Sequence, residues 1–188
     1  MWLNFGEYQE VKNSKVLKTI ILTLDAPTEE EVMNAENFDY LSKYPLNACY
    51  SKPLVDKKTG KKQSWYEVQF TVDVPYDLPS IKDWFYLVTD EGYVHKACFS
   101  GKRVKRLSTF KDREAIGAWI KSIFVEWQVL IKFHYVYQDC QRMGIVTKEA
   151  LEYYGNNKVF IKKTDKVMVD SKGVKRDVWF ISFPNKID

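Results

Sequence analysis

Residues 84–99, with the sequence WFYLVTDEGYVHKACF, indicate a β-hairpin and set the class of the fold. Two apolar stretches, residues 84–88 and 93–99, flank a short turn that contains Gly92. A hairpin pairs consecutive strands in antiparallel fashion. This stretch therefore favours an antiparallel sheet over a sheet built from strand–helix–strand crossovers.

Further strands are predicted on both sides of this hairpin. Residues 15–24 (KVLKTIILTL) are β-branched and apolar, and residues 65–74 (WYEVQFTVDV) alternate between apolar and polar positions, as in a half-buried strand. Residues 159–163 and 178–183 give two more strands, joined by a basic turn at residues 171–173. The sequence thus predicts about six or seven strands.

One long amphipathic helix is predicted over residues 110–127, with Ser108 or Thr109 as its N-cap. Its apolar residues recur at intervals of three and four and form one continuous stripe, which indicates a core-facing helix: Ile116, Trp119, Ile120, Ile123, Phe124 and Trp127. The next stretch, residues 129–136, fits either a continued helix or a strand.

Two short helices complete the predicted elements. Residues 28–34 begin with the N-cap candidate Thr28 and carry glutamates in the first turn. Residues 148–154 follow the N-cap candidate Thr147 and end at Gly155.

The predicted fold is mainly β (α+β), with mostly antiparallel strands in a barrel and two or three helices at its ends. Strands and helices do not alternate, so a doubly wound parallel sheet is not expected. We expect one domain. Residues 1–45 supply an N-terminal strand and short helix that belong to it or extend it, and residues 46–188 form its main part.

Positive charge is concentrated in two segments. Residues 52–62 (KPLVDKKTGKK) hold five lysines and one acid, and residues 101–113 (GKRVKRLSTFKDR) hold six bases and one acid. Together they carry about +9, whereas the whole chain carries +4, and much of the balancing negative charge lies in residues 29–39. This polarity suits a polyanion bound on one face. Charge alone leaves open the alternative of two solvated lysine-rich loops.

Several function classes are disfavoured by what the sequence lacks. The three cysteines are widely spaced without a Cys-x-x-Cys pair, and His95 and His134 lie too far apart for metal-ligand spacing, so we expect strand or core-edge histidines, no metal and no cofactor. No run of 18 apolar residues and no signal-peptide pattern occurs, which predicts a cytoplasmic protein without membrane contact.

Catalytic motifs are also missing from the sequence. It contains no phosphate-binding glycine loop, no Gly-x-Ser-x-Gly and no His-Glu-x-x-His. Paired nuclease carboxylates with a lysine at the required spacing are absent, as is the His-x-Lys pattern of phospholipase-D-type nucleases. The sequence therefore predicts a protein that is not an enzyme.

The C-terminal half resembles a known family in a series of ordered motifs. They are LVTDEG (87–92), KRLS (105–108), IGAWIK (116–121), GIVTKEALEYYG (144–155), VFIKKTD (159–165) and WFISF (179–183). In this order they resemble the DNA-recognition domain of BfiI-type restriction endonucleases, here without the nuclease domain. The resemblance covers roughly residues 46–183 and implies the DNA-binding pseudobarrel fold.

The resemblance implies that two loop–strand arms enter the major groove of double-stranded DNA, one over residues 52–65 and one over 102–111. These are the two basic segments identified by charge. Lysines and arginines would contact phosphates, Arg103 or Arg106 would pair with guanine, and polar side chains would read other base edges. The implied DNA-binding residues are Asn47, Ser51, Lys52, Lys57, Lys58, Lys61, Lys62, Gln63, Ser64, Glu67, Lys102, Arg103, Lys105, Arg106, Ser108 and Lys111.

The expected function is non-catalytic, sequence-specific DNA binding as the specificity element of a restriction or defence system. Two alternatives stay open. In the first, the chain is a subunit of a nuclease complex with a separate catalytic chain, or an unrecognised nuclease in its own right. In the second, it is a protein-interaction domain that has lost DNA binding and docks through its acidic segment.

Overall fold

The computed structural model describes residues 1–35, 70–72, 77–101, 105–111, 115–132 and 139–185. Within these ranges it contains four helices and seven strands. The chain forms two compact units, each from separate stretches of sequence. The sheet unit comprises residues 1–22, 71–111 and 158–184, and the helical unit comprises residues 23–70, 112–157 and 185–188.

The strands form one mixed sheet in the order β1-β6-β7-β3-β4-β5-β2. Pairs β3/β4, β4/β5 and β6/β7 are antiparallel, whereas β3 and β7 run parallel. The prediction of a mainly β fold with mostly antiparallel strands is confirmed. The strands are β1 (Val16–Thr23), β2 (Phe70–Val72), β3 (Phe85–Thr89), β4 (Val94–Ser100), β5 (Lys105–Thr109), β6 (Lys158–Val169) and β7 (Lys175–Ser182).

The predicted hairpin at residues 84–99 is confirmed as β3 and β4, joined by a turn in which Gly92 has a φ of 86°. The strand expected at residues 15–24 is also present, as β1. Strand β6 is longer than predicted and continues past a register shift to Val169. Of the strand predicted at residues 65–74, the structure describes only Phe70–Val72.

Both faces of β3 are buried. On one face, Val88 packs with Val94 of β4, Phe180 of β7 and Val11 of helix α1 (Phe5–Lys12). On the other face, the ring centroid of Phe85 lies 5.3 Å from that of Phe99 and 5.0 Å from that of Trp179. Burial of apolar surface on both sides fixes β3 as a central strand of the sheet.

Helix α1 was not predicted from the sequence. Its start is nevertheless encoded locally, because Asn4 accepts a hydrogen bond from the backbone N–H of Glu7, whose carboxylate accepts one from the N–H of Asn4. This reciprocal capping box satisfies two backbone donors at the helix start.

The helical unit contains α2 (Glu29–Asn34), α3 (Ala115–Glu126) and α4 (Lys148–Tyr154). The predicted caps of the two short helices are confirmed. The hydroxyl of Thr28 accepts from the N–H of Glu31 at 3.1 Å, and that of Thr147 accepts from the N–H of Ala150 at 3.2 Å. Helix α4 ends at Gly155 in the left-handed conformation, with a φ of 91°.

The predicted start of the long helix is wrong. Ser108 and Thr109 do not cap it, because both belong to β5, where they pair with Cys98 and Ala97 of β4. The hydrogen-bond ladder between β4 and β5 therefore replaces helical conformation at these positions. The structure describes α3 from Ala115 onward.

The apolar stripe of α3 is buried as predicted, apart from Trp127, which follows the last helical residue and is exposed. The alternative of a helix continuing through residues 129–136 is wrong for its described part, residues 129–132. The helix ends at Glu126, and Gln128 adopts a positive φ of 56° that α-helical conformation does not permit. Residues 133–136 lie outside the described ranges.

No helix in the described part of the chain is long and apolar enough to span a membrane.

Candidate nucleic-acid interface

The second predicted arm coincides with the end of the β4–β5 hairpin. Ser100 of β4 pairs with Arg106 of β5, and Gly101, with a φ of 111°, begins the reversal between the two strands. Lys102 and Arg103 lie outside the described residues. The basic segment predicted from charge is thus attached to a regular antiparallel ladder, which fixes the base of the arm.

Alternation along β5 divides its side chains between the two faces of the sheet. Leu107 and Thr109 are buried on one face, which Lys105 shares at the strand start. Arg106 is exposed and Ser108 half-buried on the other face, where the Ser108 hydroxyl lies 3.5 Å from that of Ser100. Arg106 therefore projects from the opposite face to Lys105.

The basic side chains of this arm are not neutralised by described carboxylates. Ion pairs in the described ranges join Lys163 with Asp177, Lys166 with Glu10, and Arg176 with Asp170. None of these pairs includes Lys105, Arg106 or Lys111. Among the described residues, these three cations therefore have no carboxylate partner.

A second group of cations lies around Trp84, on the face of the sheet that carries Arg106. The Nζ atom of Lys96 lies 4.7 Å from the centroid of the Trp84 ring, and the Cζ atom of Arg176 lies 4.5 Å from it. The exposed ring of Phe110 packs edge-on to Trp84 at 6.5 Å. We call Trp84, Lys96, Phe110 and Arg176 the Trp84 patch.

Arg176 is held in the Trp84 patch by a buried carboxylate. Its Nε atom donates to Oδ2 of Asp170 at 3.1 Å. Burial raises the pKa of Asp170, but hydrogen bonds from the backbone N–H groups of Val174 and Lys172 and from Arg176 outweigh it and hold the pKa below its ordinary value. The carboxylate is thus ionised and orients the guanidinium.

The sequence prediction missed Lys96 and Arg176 as members of one surface. Lys96, Cys98 and Ser100 alternate along β4, so the predicted hairpin already contained the signal that they share a face. Arg176 comes from β7, and its approach to Trp84 depends on the parallel pairing of β3 with β7.

The structure describes four of the predicted DNA-binding residues. Lys105, Arg106 and Ser108 lie on β5, and Lys111 follows it. The remaining members lie outside the described ranges, and their roles stay predictions: Asn47, Ser51, Lys52, Lys57, Lys58, Lys61, Lys62, Gln63, Ser64, Glu67, Lys102 and Arg103.

In the described ranges, no three or more histidine, cysteine, aspartate or glutamate side chains are grouped so that they could hold a metal ion. His95 is a half-buried residue of β4 with its ring 4.6 Å from that of Tyr93. Cys98 is buried, which raises the pKa of its thiol, and Cys140 is exposed. Cys49 and His134 lie outside the described residues.

Comparison with models of known protein families gives a match over most of the chain. The model of the family described as the NgoFVII C-terminal B3-like DNA-binding domain matches residues 23–165. This range contains both basic segments and the β4–β5 hairpin. No curated protein matches the chain.

Proposed function

Because the chain belongs to the family of NgoFVII C-terminal B3-like DNA-binding domains, we propose that it binds double-stranded DNA at a specific sequence. In this proposal it acts as the specificity element of a restriction or defence system. The family match supports DNA as the partner, and the mixed, mostly antiparallel sheet is the architecture of a B3-like pseudobarrel.

The observation that carries this proposal is the β4–β5 hairpin with its unneutralised cations. Lys105, Arg106 and Lys111 have no carboxylate partner among the described residues, and they belong to the basic segment 101–113. A two-stranded β-ribbon fits the major groove, where base edges differ between all four base pairs. Basic side chains beside such a ribbon neutralise the flanking phosphates.

Selection of bound sequences from a random duplex pool tests sequence specificity directly. We expect enrichment of one short consensus and, in a gel shift, tighter binding of that consensus than of a scrambled duplex with the same composition. Equal affinity for the two duplexes would show that the protein binds DNA without sequence preference and would contradict the proposed role.

We assign DNA cleavage, where it accompanies recognition, to a separate catalytic chain. The sequence contains neither the paired carboxylates with a lysine that many nucleases use nor the His-x-Lys pattern of phospholipase-D-type nucleases. These absences support the assignment. Homogeneous protein incubated with plasmid and Mg²⁺ should leave the plasmid intact at concentrations that shift the same DNA in a gel. Specific cleavage abolished by one acid-to-alanine substitution would overturn it.

A further inference from the structure

The Trp84 patch holds two cations against one aromatic ring. Lys96 Nζ and Arg176 Cζ lie 4.7 and 4.5 Å from the Trp84 centroid, and each is attracted to the ring through a cation–π interaction. The two like charges repel each other, and Asp170 is the only described carboxylate that pairs with either of them. Lys96 therefore leaves the patch with uncompensated positive charge.

This patch lies on the same face of the sheet as Arg106 at the end of the β4–β5 hairpin, with the buried Cys98 between Lys96 and Ser100. Lys96, Cys98 and Ser100 alternate along β4, and Ser108 and Arg106 pair with Cys98 and Ser100 on the same face. The four-residue distance from Lys96 to Ser100 corresponds to about 13 Å of strand. A duplex lying along the strand would pass about four base pairs over this distance, each with a phosphate on either strand.

We propose that the Trp84 patch is a phosphate-binding site for duplex DNA that flanks the sequence read by the hairpin. Lys96 makes the contact, with Arg176 adding positive charge beside it. This inference rests on the proposed function of the chain, because it assumes a duplex held by the β4–β5 hairpin. It adds a contact that depends on the DNA backbone and not on base identity.

The chemistry of the patch favours phosphate over base edges. Lys96 is a point charge without the forked geometry that an arginine uses for guanine, and the Nε of Arg176 is occupied by Asp170. Ser100 and Ser108 add hydroxyl groups between the patch and Arg106, and such hydroxyls donate to phosphate oxygens. The Trp84 ring orders the lysine stem before DNA arrives, which lowers the entropy cost of the contact.

The variants Lys96→Met and Lys12→Met form a matched pair for testing this site. Lys12 also lies over an aromatic ring of the sheet unit, with its Nζ atom 5.8 Å from the Tyr8 centroid. It belongs to helix α1 and not to the strands of the β4–β5 hairpin. Methionine keeps the apolar stem over the ring and removes the charge. Melting temperatures of both variants establish that the fold is retained.

Affinity is measured against salt concentration for two duplexes, one with the selected sequence and long flanks and one unrelated in sequence. Lys96→Met should weaken binding to both by about three- to tenfold at low salt. The slope of log affinity against log salt should become shallower by about one. Lys12→Met should match the wild type, and Lys96→Arg should restore the slope. Removal of the flanks from the specific duplex should abolish the difference between Lys96→Met and wild type.

The outcomes separate this inference from the proposed function. If the wild type binds duplex DNA and Lys96→Met binds like Lys12→Met, the flanking site does not exist and the proposed function stands. A loss confined to one sequence would make Lys96 a base-reading residue and would also overturn the phosphate site. Failure of the wild type to bind any duplex would remove both proposals.

Discussion

Lys121 donates a hydrogen bond of 3.1 Å from its Nζ atom to the carbonyl oxygen of Gly144, although the lysine is buried in the helical unit. The carboxylate of the buried Asp139 accepts hydrogen bonds from the backbone N–H groups of Met143 and Gly144 at 2.6 and 2.8 Å. The Lys121 hydrogen bond thus joins the segment 139–144 to helix α3, and the Asp139 carboxylate holds the segment's own backbone.

Replacement of Lys121 by methionine should change how stability depends on pH. Burial lowers the pKa of Lys121 well below its ordinary value, and the nearby Asp139 opposes this only in part. Between the folded and unfolded pKa values the unfolded chain binds more protons. The free energy of unfolding therefore rises with pH up to the unfolded value of about 10.4 and falls as pH decreases toward the folded pKa.

Denaturant unfolding of wild type and Lys121→Met over a series of alkaline pH values measures this effect. The stability of the wild type relative to the variant should increase as pH rises toward 10. Parallel stability curves for the two proteins would show that Lys121 has the same pKa in the folded and unfolded chains.

Binding to duplex DNA should depend steeply on salt. The two basic segments together carry about +9, and roughly five or six phosphate contacts would give a slope near −5 for log affinity against log salt. Fluorescence anisotropy with a labelled duplex between low and physiological salt provides the slope. An affinity that does not change over this range would exclude an electrostatic interface through both arms.

Substitution of Arg106 by lysine should separate base reading from phosphate binding. Arg106 is exposed opposite Ser100 at the hairpin end, and its guanidinium can pair with guanine at two points, whereas lysine cannot. If Arg106 reads a base, discrimination at one base pair should fall by about 1–3 kcal/mol with little change in non-specific affinity. The parallel variant Arg103→Lys tests the second candidate. Unchanged sequence preference in both variants would assign base reading to residues 47–67.

Substitution of Trp119 by alanine should reduce the amount of folded protein without a selective loss of base preference. This side chain is 6% exposed in the apolar stripe of α3, and removal of a large core side chain costs about 2–5 kcal/mol. Trp127, 50% exposed just beyond the same helix, serves as the matched control and should lose less stability on replacement by alanine. We expect the same structural role for Ile120, Leu151 and Phe183, which are all buried. A folded Trp119→Ala variant that selectively loses DNA binding would contradict this assignment.

Two glycines with positive φ should differ in their tolerance of alanine. A Cβ atom at Gly155, which has a φ of 91°, would lie 2.9 Å from the backbone oxygen of Asn185, whereas one at Gly173, with a φ of 77°, would meet no atom within 4 Å. In both variants the alanine must adopt the left-handed backbone conformation, which costs about 1–2 kcal/mol in stability. Gly155→Ala adds a steric clash with the backbone of Asn185. Thermal unfolding should therefore show a larger loss for Gly155→Ala, and equal losses would mean that the chain near Asn185 shifts without cost.

Elements encoded by neighbouring residues were predictable from the sequence. The turn at Gly92 defines the β3–β4 hairpin, and Thr147 and Gly155 define the ends of α4, because each of these signals acts within a few residues. The capping box of Asn4 and Glu7 is equally local, and α1 could have been predicted from it.

Features that depend on distant pairing were not predictable in the same way. Ser108 is a favourable N-cap residue by type, but its pairing with Cys98 places it in a strand. The Trp84 patch combines side chains from the hairpin and from β7, which are about ninety positions apart in sequence, so no local pattern indicates it. The first predicted arm lies outside the described residues, and its roles remain predictions.

The position of β7 has a consequence for how the protein is made. Tyr86 of β3 is paired with Val178 of β7, and β7 separates β3 from β6 within the sheet. On the ribosome, the hairpin that carries Arg106 is synthesised well before the strand beside it exists. A nascent chain therefore lacks an interior strand until residues 175–182 emerge, and a chain that stops before them exposes the β3 edge to intermolecular pairing.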